Sequence, residues 1–450
     1  MRDRRKVRIG LVVLGCDKNT VDSEYLAASL ARRGAMVTTD PIRDGPVDVV
    51  VIATCGFTHE ARQQSLATIR RWAARKVRSL HPMALYVWSC MGQRWAAELA
   101  EAIPEIDGIA GVGRFEQLAA AILEPTRRRQ RLVASSPCVR VTPRLARLRL
   151  DARPYAFLKI ADGCNHRCSF CAIPLMKGRL RSVPRQILLD EARALLDSGA
   201  REINLIAQDI SAYGTDVYRR YRLPDLLEDL LALEGDFWVR LLYLYPAGLT
   251  DRLIELLAQH PKLCPYLDLP LQHLDVVMLR RMRRPQPSLD VERAVGRLRE
   301  RIPDLALRTT MMVGFPGEDR AVFERLLDGV RRIQFDRLGA FVFSAEAGTA
   351  AASMADRPSP QTANRRLDRL MRLQATISAQ LAERQIGRTV RVLVESADRA
   401  AGQCIGRTVR DAPEVDGVVK IHSTRLLEAG SFVKVKITAA ETYDLVGKVA

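Results

Sequence analysis

Three cysteines, Cys164, Cys168 and Cys171, stand in a C-x3-C-x2-C spacing inside Asp162-Gly-Cys-Asn-His-Arg-Cys-Ser-Phe-Cys-Ala-Ile-Pro174. An odd number of thiols this close together makes a poor disulfide framework, because one is always left over. The same three make a good tridentate claw for an iron–sulfur cluster, whose irons take thiolates. A 4Fe-4S cube held by three cysteines keeps one iron without a protein ligand, and that iron is open to chemistry. Zinc is the plainer reading, but a structural zinc site wants four closing ligands. His166 could be the fourth only by folding back between its own neighbours.

A second set of three is dispersed. Cys16, Cys55 and Cys90 each follow an apolar run (Val7–Leu14, Val47–Ala53 and Met83–Trp88) by one or two residues. Amphipathic segments separate these runs, and a fourth short run covers Asp107–Val112, so the region reads as an open parallel α/β sheet. Strand ends in such a sheet share the edge where ligands bind, which would bring the three cysteines together as a second cluster site. A single cysteine there would pass as a small buried hydrophobe; three in equivalent places favour ligation. Asn19, Ser23, Ser65 and Gln93 lie near the same loops and read as helix caps or solvated faces.

The elements that must position the first claw form a longer array. Strands are expected at Tyr155–Ile160, Glu202–Ala207, Trp238–Tyr243, Tyr266–Leu269, Ala306–Val313 and Arg337–Phe343, with helices between them. Six βα units make a (β/α)6 partial TIM barrel, whose working groups belong at the carboxyl ends of the strands. The claw follows the first strand, and Gln208-Asp209, Tyr245-Pro246, Gln272-His273 and Gly314-Phe-Pro-Gly-Glu318 follow later ones. From Gly387 the pattern switches to period two, with five short strands of a small β-barrel of the OB kind.

Charge and composition bound the partners. The 450 residues carry 70 Lys or Arg against 52 Asp or Glu, a formal charge of +18, which suits an acidic partner such as RNA or reflects a general preference for Arg. Eight arginines and no acid fall between Arg127 and Arg149, a stretch that either touches RNA or is a solvated connector. Cys138 lies there without partner spacing and is given no role. The last 63 residues are nearly balanced, with ten basic and eight acidic side chains, and Asp411-Ala-Pro-Glu-Val-Asp416 would suit a basic protein partner. There is no signal-peptide pattern and no apolar run near the roughly 20 residues of a membrane span. Nine cysteines then fit a reducing compartment. A cytoplasmic monomer without membrane contact is expected.

These motifs resemble a known family. The claw after the first strand of a partial barrel is the mark of radical S-adenosylmethionine (SAM) enzymes. Leu14-Gly-Cys-Asp-Lys-Asn19 with Val21-Asp-Ser-Glu24, Thr54-Cys-Gly56, Cys90-Met-Gly-Gln93 and Val313-Gly-Phe-Pro-Gly-Glu318 resemble those of the methylthiotransferases. The resemblance implies an N-terminal methylthiotransferase domain at 6–122, a basic linker at 123–149, a radical SAM core at 150–380 and a C-terminal TRAM β-barrel at 383–450. It also implies two 4Fe-4S clusters and SAM. One cluster, on Cys164, Cys168 and Cys171, would cleave SAM to a 5′-deoxyadenosyl radical; the other, on Cys16, Cys55 and Cys90, would hold the sulfur. Gln208, Gln272, Gly314 and Glu318 are expected from rim position to help hold SAM.

Ile405-Gly-Arg-Thr-Val-Arg-Asp-Ala-Pro-Glu-Val-Asp-Gly417 and Asn165-His166 resemble the RimO-type branch. That branch methylthiolates the β-carbon of an aspartate in the twelfth small-subunit ribosomal protein, a basic partner, with an external sulfur source and electron donor. A tRNA adenosine methylthiotransferase is the alternative; a non-catalytic iron–sulfur RNA-binding or electron-transfer protein is the alternative of another class. Three residues depart from the branch: Asp17 where proline is usual, and Lys177 and Val183 where arginine is usual. The last two bear on any anion contact at that turn.

Overall fold

The computed structural model describes residues 6–124, 147–284, 291–302, 304–398, 403–424 and 427–450. The N-terminal unit is a five-stranded parallel sheet in the spatial order Met36–Thr38, Arg8–Val13, Val49–Thr54, Ala84–Ser89, Gly108–Ala110. Its central strands are buried on both faces. Val50, Ile52, Leu85 and Val87 pack one way, and Val49, Val51, Ala53 and Trp88 the other, which is why they read as unbroken apolar runs. The three-residue edge strand Met36–Thr38 was too short to see in the sequence. The order reverses between Arg8–Val13 and Val49–Thr54, the switch point where a crevice opens beyond the strand ends. Cys16 and Cys55 flank that point. Cys90 opens the short helix Cys90–Arg94 that follows Ala84–Ser89.

The central sheet holds six parallel strands in sequence order: Tyr155–Lys159, Glu202–Ile206, Trp238–Leu241, Leu263–Asp268, Ala306–Val313 and Arg337–Val342. Helices including Arg185–Asp197, Leu223–Leu231, Asp251–Gln259 and Arg320–Ile333 cover its outer face and share one apolar core with it. The third strand stops at Leu241, before the expected Tyr243, because Tyr243 turns into the left-handed region at φ +62°.

An open barrel leaves two strand edges to satisfy. The long helix Pro360–Glu383 packs on the last strand. The first strand is covered by helix Asp17–Arg32 of the N-terminal unit and by two arginines. Arg147 Nη2 donates to Phe157 O at 2.7 Å, and Arg149 Nη2 to Tyr155 O at 3.1 Å. Arg147 also pairs with Glu24 at 2.8 Å and Glu191 at 2.9 Å. Two of the eight arginines of the basic stretch are therefore engaged internally, serving an edge strand's carbonyls. The other six, and Cys138, lie outside the described residues.

The C-terminal unit is a closed five-stranded barrel: Thr389–Asp398, Gln403–Thr408, Val419–His422, Leu445–Val449 and Phe432–Ala440 in spatial order. It corrects one expectation. Two of the three acids of the run 411–416, Asp411 and Asp416, do not face outward to meet a basic partner; Glu414 alone stays exposed. The run is inserted at the amino-terminal end of the central sheet, with Leu393 and Ala412 packed among Tyr155, Trp238 and Tyr266. Asp416 pairs with Arg308 at 2.6 Å and accepts from Tyr266 Oη at 2.6 Å. Asp411 pairs with Arg337, and Glu414 accepts from Tyr155 Oη at 2.9 Å. Glu202 lies between Arg240 at 2.7 Å and Arg407 at 2.8 Å. Burial alone would raise its pKa, but the two guanidiniums outweigh that and hold it below the usual carboxylate range. Three strands of the central sheet turn Arg240, Arg308 and Arg337 inward and one strand of the barrel brings Arg407, so the acids neutralise charge that would otherwise be buried alone.

Breaking one side of such a pair strands the other. Asp416→Ala leaves Tyr266 without its acceptor and Arg308 with only Asp268 at 3.6 Å, and a loss of about 3–5 kcal/mol is expected. Urea denaturation checks this: the unfolding midpoint should fall clearly, and an unchanged midpoint would mean the inserted run does not hold the two units together.

Candidate iron–sulfur and SAM site

The N-terminal cysteines are brought together by strand order and then tied by one side chain. Asn19 is only 1% exposed. Its amide nitrogen donates to Leu14 O at 2.8 Å and Thr54 O at 3.0 Å, and its oxygen accepts from Ser89 Oγ at 2.9 Å. Those three partners immediately precede or lie within two residues of Cys16, Cys55 and Cys90, so a single amide fixes all three loops. Ser65 Oγ accepts from Cys55 N at 3.1 Å and donates to Cys55 O at 2.9 Å. Ser23 is likewise buried, and Gln93 accepts from Val112 N at 3.2 Å. These polar residues are not the solvated faces expected from sequence. Gly15, at φ +99°, brings the first loop against Cys55: a Cβ there would lie 2.9 Å from Cys55 Cβ. Cys16 caps helix Asp17–Arg32 without a side-chain cap bond, leaving its sulfur uncommitted.

The local claw is set by backbone contacts to a two-residue ribbon, Ala161–Asp162 with Arg181–Ser182. Cys164 N donates to Gly178 O at 3.1 Å, and Leu180 N donates to Asn165 Oδ1 at 3.1 Å. Gly163, at φ +78°, has no room for a side chain, since a Cβ would meet Arg179 O at 2.2 Å. His166 does not fold back as a fourth ligand. It stacks on Tyr245 with ring centroids 4.4 Å apart, and its Nε2 lies 2.7 Å from Asp209 Oδ2.

Both sets of cysteines open into one cavity of about 570 Å³. Cys16, Cys55 and Cys90 line one part and Cys164, Cys168 and Cys171 another, with Lys18, Lys177, Gln208, Tyr243, Gln272 and Arg284 around them. Burial pushes the Cys164 thiol up to about 11 and the Cys90 and Cys171 thiols up to about 12. Without a cation they are protonated at neutral pH, and bound iron reverses that preference. Among the described residues no three ligating side chains converge on one ion-sized point. A cube asks for something else, because each thiolate sits on its own iron. The sulfur-only donor sets therefore fit 4Fe-4S clusters. Gln208 Oε1 and Gln272 Oε1 are buried in the cavity without a hydrogen-bond donor, and such orphaned acceptors fit a ligand that brings N–H groups.

Of the four expected SAM contacts, Gln208 and Gln272 line the cavity, whereas Gly314 and Glu318 are outside its lining. The Glu318 carboxylate accepts from Gly314 N at 3.0 Å and from Arg366 Nη1 at 2.7 Å, bracing the loop after the fifth strand.

The two units are joined beside the cavity by four buried charges. Asp22 of the N-terminal helix pairs with Lys159, and with Lys177 at 3.1 Å; Asp162 pairs with Lys159 at 3.3 Å and Lys177 at 3.4 Å. Burial disfavours the Asp162 carboxylate, but the two ammonium groups outweigh it and hold its pKa far below the usual range. Lys177 thus does structural work between two acids. Val183 donates its N–H to Ile160 O at 2.8 Å and packs on the central core, so its side chain brings no anion contact to that turn. Lys18, Tyr243 and Arg284 are cavity residues that sequence reasoning missed. Lys18 was hidden inside a cysteine motif, and the other two have no local signature.

Comparison with known proteins follows the same three units. A model of the Radical SAM superfamily matches residues 158–330, one of the TRAM domain matches 386–450, and one described as Uncharacterized protein family UPF0004 matches 8–111. The chain is 41% identical over 446 residues to the ribosomal protein uS12 methylthiotransferase RimO of Geobacter sulfurreducens, covering 99% of each chain. It is 40% identical over 451 residues to that of Citrifermentans bemidjiense, covering 100% of each. Among solved structures, the radical SAM methyltransferase TsrM from Kitasatospora setae aligns with a TM-score of 0.52 at 14% identity, over 75% of this chain and 72% of that one. The cobalamin-dependent radical enzyme OxsB aligns with a TM-score of 0.53 at 13% identity, over 83% and 58%. At such identity the two solved structures speak for the fold alone. Full-length identity near 40% and three matched units in the same order show that the chain belongs to the radical SAM family of ribosomal protein uS12 methylthiotransferases.

Proposed function

We propose that this protein methylthiolates the β-carbon of an aspartate in ribosomal protein uS12, in the cytoplasm, using two 4Fe-4S clusters and SAM. The observation that carries the reading is the shared cavity: a reaction that needs both a radical and a sulfur needs its two cluster sites facing one space. With SAM, the cluster on Cys164, Cys168 and Cys171 supplies the radical chemistry that an unactivated aliphatic C–H bond demands, since no side-chain base removes such a proton at neutral pH. The chain's own part is to bind, orient and exclude. Gln208 and Gln272 present carbonyl oxygens to the donors of a bound SAM. His166 and Tyr245 form a stacked wall beside the claw, and Asp209 fixes the imidazole. Cys16, Cys55 and Cys90 hold the second cluster, where the sulfur is presented. The four-charge junction at Asp22 keeps the two sites in register.

The choice of substrate is tested by offering uS12 and tRNA side by side to anaerobically reconstituted enzyme. Mass addition on uS12 is expected, and modification of tRNA alone overturns the choice. Cys90→Ala separates the two sites: iron content should fall from about eight to about four per chain. 5′-Deoxyadenosine should still form, and no methylthio group should reach uS12. Full transfer by that variant would remove the second site from the reaction.

Asn19→Ala removes the amide that ties the three N-terminal loops and leaves two buried carbonyls without a donor, a cost of about 1–3 kcal/mol for each. Selective loss of N-terminal iron is expected by Mössbauer or EPR spectroscopy, with the local claw still loaded. Retention of both clusters would show that strand order alone positions the cysteines.

A further inference from the structure

The target of the proposed reaction carries a charge that the cavity must accommodate. An aspartate whose β-carbon enters a space lined by buried sulfur and aromatic groups brings its carboxylate with it. Burying a carboxylate without a partner is strongly disfavoured. The inference rests on the uS12 reading and asks which residue receives that carboxylate.

Three strong cations line the cavity among the described residues: Lys177, Arg284 and Lys18. Lys177 is already held between two carboxylates, Asp22 and Asp162. Arg284 belongs to the local claw. Its Nη1 is 3.8 Å from Cys168 Sγ, its Nη2 donates to Pro270 O at 2.5 Å, and its guanidinium lies over the Tyr245 ring at 4.3 Å. Lys18 stands on the other side, two residues from Cys16. Its ammonium lies 2.9 Å from the Tyr243 ring centroid, and its ion-pair partner is Asp17 at 3.1 Å.

Two further observations set this corner apart. Tyr243 is held at φ +62°, a conformation that persists in non-glycine residues where the surroundings impose it, often at functional sites. Its N–H donates to Asp268 Oδ2 at 2.9 Å, and Asp268 is 3.6 Å from Arg308, which is itself pinned by Asp416. The ring beneath Lys18 is therefore braced as far as the C-terminal barrel. Asp17 accepts from Tyr243 Oη at 3.3 Å through Oδ1, while its Oδ2 is buried without any donor. This half-satisfied carboxylate opens the helix that carries Lys18.

We propose that Lys18 is the specificity residue that binds the carboxylate of the target aspartate, and that Asp17 is an internal stand-in occupying the ammonium until the substrate displaces it. Lysine suits this exchange, because an ammonium is a point charge with three donors and can change partners without reorienting a planar fork. Carboxylate recognition by charge then separates aspartate from its isostere asparagine, which a shape-selective pocket alone would admit.

The test measures binding of uS12 to the reconstituted holoenzyme, with the target residue as Asp or as Asn, for wild type, Lys18→Met and Asp17→Pro. Wild type should prefer the Asp form by at least about tenfold, the scale of a buried charge pair. Lys18→Met, matched to wild type in iron content, should bring that ratio close to one by weakening the Asp form alone. Asp17→Pro removes the competing carboxylate at the first helical position, where proline is well tolerated, and should raise the ratio. A purely structural role for Lys18 would weaken both forms together and keep the ratio, which overturns the proposal. If Lys18→Met does not reach wild-type iron content, Asp17→Pro decides, and an unchanged ratio there overturns it. A wild type that modifies uS12 yet binds Asp and Asn forms equally removes the Lys18 assignment alone. A wild type that neither binds nor modifies uS12 removes the functional reading, and this proposal with it.

Discussion

Everything in the site depends on one interdomain contact: Asp22 reaching from the N-terminal helix to Lys159 and Lys177. The helix that carries Asp22 starts at the residue after Cys16, and Lys159 ends the strand that leads into the claw. A displacement at this junction would move one set of cysteines relative to the other. Two acids and two bases alternate there, so neither unit can withdraw without leaving charge buried and unpaired. The arrangement sets registry between two separately folded sheets, the best-attested use of buried ion pairs.

The sheets and the cysteines were legible in the sequence because each is a local signal. Apolar runs bounded by Gly, Cys and polar residues mark buried parallel strands, and the claw is a spacing within eight residues. Convergence of Cys16, Cys55 and Cys90 followed from one rule about strand ends. What was not legible is what tertiary contact decides. Asn19 reads as a cap in sequence, and only the fold shows one amide bonding three loops. Tyr243 reads as the end of a strand, yet leaves it to lie under Lys18. Gly314 and Glu318 sit on the rim as expected, but the carboxylate turns toward Arg366 and away from the cavity.

Charge was the least transferable signal. Counting by segment suggested that 411–416 was free to meet a basic partner, because Arg308 and Arg337 lie on two distant strands and only the sheet turns them toward Asp416 and Asp411. The same holds for Arg147 and Arg149, which read as part of a basic run and serve edge carbonyls. Net charge describes the solvent's view of a protein. It does not say which charges the fold has already consumed.

The floor of the central sheet also has a consequence for traffic. With Asp411 and Asp416 wedged among the inward arginines, the amino-terminal end of the strands is stoppered, and reactants pass at the carboxyl-terminal end where both sets of cysteines lie. Small cofactor and bulky protein loop then share a doorway.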